Sequence, residues 1–137
     1  MPAAQPVKTR YEGVHCDLTI ESYSPDIVVL RISGTDVGEF GAAPLEMLTG
    51  SLAGVEQFDL FVDAREVRGA SIEVSGDWAQ WLRSNKHRLR DMSMLTGSRF
   101  VQVTADFVRR FADLEGVMQV YTDDDLFDAK LAKKLRS

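Results

Sequence analysis

The chain has 137 residues, of which 45% are hydrophobic and 27% charged, with a formal net charge of −5. That is the size and composition of one globular domain with a core of its own, which excludes a disordered chain; the acidic balance argues against dedicated nucleic-acid binding. A single cysteine, Cys16, excludes an intramolecular disulfide and disfavours a cysteine-based zinc site, and no apolar run approaches the ~20 residues of a membrane span. The opening MPAAQPVKTRYEG has no apolar signal core, so a cytoplasmic protein is expected.

Residues 1–13 mix proline, alanine and polar groups without a period and read as a loose tail, ahead of a single domain over 14–137. A strand is predicted over 15–21, where Thr19 and Ile20 supply β-branching. Ser24-Pro25-Asp26 is turn chemistry, and the β-branched run Ile27–Ile32, closed by Ser33-Gly34, completes a hairpin. A helix is predicted from Ala42 or Ala43, with Pro44 in its first turn and Gly54 past its end. Phe58–Asp63 reads as a short central strand covered on both faces.

From Ser71 to about Leu89 the pattern is helical, with Ser71 or Ser75 as cap and Trp78, Trp81, Leu82, Asn85 and Leu89 on one face. Residues 91–96 form a strand. Ser98 then caps a helix whose apolar stripe is Phe100, Val103, Thr104, Phe107, Val108 and Phe111. Val117–Tyr121 is another short strand. In the last helix Thr122 is the expected cap, acids fill the first turn and lysines the end, as the macrodipole favours, with Leu126, Phe127, Leu131 and Leu135 facing inward. The order β-β-α-β-α-β-α-β-α implies an α/β fold with a mixed, mostly parallel sheet flanked by helices.

This layout resembles the STAS domain (sulfate transporter and anti-sigma-factor antagonist), most closely its SpoIIAA-like branch, grouped with STAS/SEC14-type bacterial proteins. The residues that carry the resemblance are Ile27–Gly34, Phe58–Asp63 and Val117–Leu131, the last a strand leading into an acidic-capped helix. The resemblance implies a regulatory or scaffolding domain without catalysis. In anti-sigma-factor antagonists a serine in an Asp-Ser-Ser-Gly-like turn after the central strand is phosphorylated and switches the choice of partner. Here that region reads Asp63-Ala64-Arg65-Glu66-Val67-Arg68-Gly69-Ala70-Ser71, with no Asp-Ser-Ser-Gly, so the phosphoswitch is not carried over.

Nothing else in the sequence assembles a reaction centre. His15 and Cys16 are adjacent on a strand and point to opposite faces, so they cannot pair, and His87 lies in a basic segment; no metal-ligand spacing occurs and no cofactor is expected. Among Asp59, Asp63, Glu66 and Glu73, Asp63 is notable because it ends a parallel strand, where α/β proteins place ligand crevices. Charge is segregated: residues 36–77 hold nine acids against two bases, and 83–110 seven bases against two acids. Such polarity steers charged partners or self-association, without specifying an interface.

The leading reading is therefore a non-catalytic protein–protein interaction module of bacterial signalling. Its binding surface is expected at Arg65, Arg68, Ser71, Ser75 and Asp77, after the central strand. The alternative is a carrier or sensor of a small apolar ligand, with Trp78, Trp81, Met92, Met94 and Phe100 lining a pocket of roughly 300 Å³ or more. An enzyme is the least favoured reading, because no spacing supplies two convergent titratable groups.

Overall fold

A computed structural model describes residues 6–24 and 26–136. Residues 1–5 of the expected tail, Pro25 of the expected hairpin turn and Ser137 lie outside the described residues. The elements are β1 (Val7–Glu12), β2 (Cys16–Tyr23), β3 (Ile27–Asp36), α1 (Ala43–Ser51), β4 (Phe58–Ala70), α2 (Ile72–Asn85), β5 (Leu89–Thr96), α3 (Arg99–Phe111), β6 (Met118–Tyr121) and α4 (Asp124–Arg136). They form one six-stranded sheet in the spatial order β1-β2-β3-β4-β5-β6. The first three strands are antiparallel neighbours, and β3 through β6 run parallel.

Strand β1 occupies residues 7–12 of the stretch expected from the sequence as a loose tail. Val7, Thr9 and Tyr11 alternate with Lys8, Arg10 and Glu12, which is the period of a strand over too few residues to stand out. Tertiary contacts supply the rest. The Tyr11 ring lies 5.6 Å from that of Phe40, and its hydroxyl donates to the Ala43 carbonyl at the start of α1. The Glu39 carboxylate accepts from the N–H groups of Val14 and His15, each at 2.8 Å, and so fixes the β1–β2 turn.

Helices cover the two faces of the sheet unequally. Helices α1, α2 and α3 share the larger core, in which Leu48, Leu52, Phe58, Leu60, Leu82 and Leu114 are fully buried. Burying each such side chain contributes roughly 1.5–3 kcal/mol. Helix α4 covers the other face alone, placing Phe127 and Leu131 on Ile27, Val29, Phe61 and Leu95. Leu126, expected inside, is exposed. The α4 cap also differs from expectation: the Asp123 carboxylate, not Thr122, accepts from the N–H groups of Asp125 and Leu126. Ser71 and Ser98 cap α2 and α3 as the sequence indicates, accepting from the Val74 and Val101 N–H groups. Helix α2 ends at Asn85, earlier than its apolar pattern implies, because Leu89 opens β5.

The largest departure concerns α3. Its stripe of Phe100, Val103, Phe107 and Phe111 is exposed; of the expected set only Val108 is buried. A second stripe at the same spacing, Val101, Ala105, Val108 and Ala112, faces the core. Both stripes have helical period, so periodicity does not choose between them; the smaller one packs on the sheet and α2.

Strand β4 also departs from the sequence reading. It does not stop at Asp63 but runs on to Ala70 beside the extended end of β3. Two register shifts interrupt that pairing, between Arg31 and Ser33 and between Gly34 and Thr35. Each adds one residue to β4. Gly34 sits at the second irregularity with φ +86°, and a Cβ there would lie 2.2 Å from the His15 carbonyl oxygen, so glycine is required.

Candidate interaction surface

The stretch after Asp63 was expected as a loop and is instead the second half of β4, so the five candidate residues do not form one patch. Val67 belongs to the core beneath α2 and α3, and a Cβ on Gly69 would meet Phe100 of α3 at 3.4 Å. Glu66 lines a hollow with Arg31, Asp63 and Arg65 on the opposite face, the side of the sheet that carries α4. Arg65 points to that face too, where it bonds residues of α4. Ser71, Ser75 and Asp77 belong to α2 and its cap, on the other side.

Arg65 sits at the centre of a network of charges. Its Nε donates to Asp63 Oδ1 at 2.9 Å, and its Nη2 donates to Asp128 Oδ1 at 2.6 Å, with Asp124 3.3 Å from Nη1. Asp63 also accepts from Arg31 at 2.9 Å, and Arg31 reaches Glu21 at 3.0 Å. The hydrogen bonds that Arg65 donates to Asp128 and then to Asp63 raise its pKa above the ordinary value. The notable Asp63 thus holds two arginines across β3, β4 and α4 and is committed to structure. The hollow beside it is lined by Arg10, Thr19, Arg31, Ser33 and Glu66.

On the other side of the sheet the two serines have separate fates. Ser71 is partly accessible, but its hydroxyl is used as the α2 cap, 3.1 Å from the Val74 N–H. Ser75 is buried and borders the core cavity. Asp77 is exposed on α2, and Arg68 is exposed without an ion-pair partner among the described residues.

The proposed apolar pocket is only partly assembled. A cavity of about 110 Å³ lies between the sheet and helices α2 and α3, with Trp78, Met92 and Met94 in its lining. Trp81 and Phe100 are not part of it: the Trp81 Nε1 donates to Thr49 Oγ1 of α1 at 3.0 Å, and Phe100 stands exposed. The volume falls short of the ~300 Å³ at which cavities begin to hold drug-sized ligands.

Cys16 is buried, and its thiol is pushed up to about 12, first by burial and then by the nearby carboxylates of Asp36, Glu39 and Asp17. Such a thiol is inert rather than nucleophilic. Among the described residues no group of three or more His, Cys, Asp or Glu side chains is placed to hold a metal ion, and no helix is long and apolar enough to cross a membrane.

What sequence reasoning missed is the outward stripe on α3. Ile72, at the first position of α2, is 91% exposed, Phe100 63% and Phe107 47%. Val103 and Phe111 complete the set, and the Phe107 and Phe111 rings stack at 5.8 Å. The signal was in the sequence as the competing stripe of small residues, Val101, Ala105 and Ala112.

A mixed six-stranded sheet with three helices on one face and one on the other defines a STAS-like domain with a SpoIIAA-like fold. An uncharacterised protein from Shewanella loihica PV-4, of the DUF3478 family with a SpoIIAA-like fold, superposes with a TM-score of 0.60. The match has 15% identity and covers 84% of this chain and 93% of that one. An anti-sigma factor antagonist from Mycobacterium paratuberculosis superposes with a TM-score of 0.50 at 12% identity, over 100% of this chain and 98% of that one. At these identities the likeness is one of fold. No protein-family model matches the sequence, and no curated protein does.

Proposed function

We propose that this domain is a non-catalytic regulatory module that works by binding another protein, as an anti-sigma-factor antagonist does. The observation that carries the reading is the exposed apolar set Ile72, Phe100, Val103, Phe107 and Phe111 on α2 and α3. Contiguous apolar surface of this kind marks interaction sites on soluble domains. The fold likeness to an anti-sigma factor antagonist supports the same reading. So does the chemistry of β4, where Asp63 and Asp59 are held by arginines in ion pairs.

The test is site-specific photo-crosslinking in the source cells. A photoreactive residue replaces Phe107, Arg68 or, as a control on the far edge strand, Glu12. One discrete protein adduct at position 107 or 68, absent at position 12, is expected. No discrete adduct at either position overturns the reading.

A further inference from the structure

The α3 stripe is one wall of a groove. Residues 100, 103, 107 and 111 are spaced to share a face, and both ends of that face turn toward α2. At one end Phe100 stands against Gly69, just before α2 begins. At the other, the Arg83 guanidinium in the last turn of α2 lies 5.9 Å over the Phe111 ring. Between them α2 presents Gly76, which has open space where a side chain would be, with exposed Ile72 at the entrance. From Phe100 to Phe111 the wall runs roughly 17 Å at 1.5 Å per residue, the length of three helical turns.

The α3 side of this groove is basic, whereas α2 carries exposed Glu73 and Asp77. Arg99 and Arg110 are exposed on α3 and have no carboxylate partner among the described residues. Asp106 is neutralised by Arg109 at 2.8 Å. Resting on the interaction-module reading, we propose that the α2–α3 groove receives an amphipathic helix of a partner protein whose apolar face is flanked by aspartate and glutamate. Length, concavity and charge each select that occupant. A second copy paired α3 to α3 about the helix midpoint is disfavoured, since Arg99 then meets Arg110. A flat bilayer fits a convex ridge better than a trough between two helices.

Two synthetic fifteen-residue peptides test this. They share leucines at i, i+4, i+7 and i+11, and carry either glutamate or lysine at every flanking position. Binding is followed by fluorescence anisotropy, and the contact site by backbone amide shifts. The glutamate peptide is expected to bind at least about tenfold more tightly than the lysine peptide, with affinity falling as salt rises. Phe107→Ser, at an exposed position, should abolish binding while leaving the unfolding midpoint unchanged. The double variant Arg99→Glu/Arg110→Glu should reverse the peptide preference. Equal affinities, or binding retained by Phe107→Ser, overturn the proposal. So do adsorption to phosphatidylglycerol vesicles without peptide binding, and a solution dimer that Phe107→Ser dissociates. If neither peptide binds while crosslinking still captures one protein, the groove assignment falls and the interaction-module reading stands.

Discussion

Arg65 and Asp128, sixty-three positions apart in the chain, meet at 2.6 Å and join the middle strand of the sheet to the first turns of the last helix. The same guanidinium holds Asp63, so one side chain ties β4 to α4. Few apolar groups secure α4 to the sheet, chiefly Phe127 and Leu131, which makes this link and its counterparts at the other end of α4 important. Those counterparts are Lys130 on Asp91 at 2.7 Å and Lys134 on Asp59 at 3.3 Å.

Replacing Arg65 with alanine is accordingly expected to lower unfolding free energy by roughly 1–3 kcal/mol, the scale of hydrogen bonds to charged groups. Asp63 keeps Arg31, so the variant still folds. Urea denaturation measures the loss, and amide exchange at Phe127 and Leu131 should accelerate more than exchange at Leu82. Uniform acceleration would show that α4 is not the element Arg65 secures.

Ser71 should behave as a cap. Ser71→Ala is expected to cost about 0.5–2 kcal/mol by leaving the Val74 N–H unpaired, whereas Ser71→Asp, which also caps well, should cost a few tenths at most. Thermal melts of the two variants decide this. The same pair bears on regulation: a negative group at this position is compatible with α2. Ser75 is buried and should not be modified while the domain is folded.

Acid should weaken the domain through Asp59. Burial of its carboxyl, which is 1% exposed, would raise its pKa, but the hydrogen bonds and charge of Arg90, followed by Lys134, outweigh that and hold it below the usual carboxylate range. A depressed folded-state pKa contributes stability that is present above the unfolded value of about 3.9 and is lost as pH falls through the folded one. The urea midpoint should therefore show no Asp59-dependent change between pH 7 and 5 and should decline below about pH 4. In Asp59→Asn the midpoint should be lower at pH 7 and the acid decline shallower. An equally steep decline would assign the effect to other carboxylates.

Cys16 should resist alkylation. With its thiol buried and pushed up to about 12, Cys16 should be labelled by iodoacetamide at pH 8 only after denaturation. Mass spectrometry of native and unfolded samples reads the difference. Labelling of the native protein at the denatured rate would mean that β2 opens readily.

Much of the architecture was legible in the sequence, because strand and helix periods are local properties. The β-branched run at 27–32, the Ser71 and Ser98 caps and the acid-to-base gradient of the last helix each act within a few residues of chain. What could not be read is what depends on distant neighbours. The strand at 7–12 exists because Tyr11 finds Phe40, and β4 passes Asp63 because the end of β3 is there to pair with it. The extension of β4 and the packing of α4 also decided that Arg65 lies across the sheet from Ser71, Ser75 and Asp77.

The α3 helix separates the two kinds of information most clearly. Its sequence determined a helix with two apolar stripes at the same period. Hydrophobicity alone places the phenylalanines inside. The packed molecule places Val101, Ala105, Val108 and Ala112 there and so leaves the phenylalanines facing solvent. The composition thus fixed how much apolar surface the chain carries, and tertiary packing decided which part of it is free to bind.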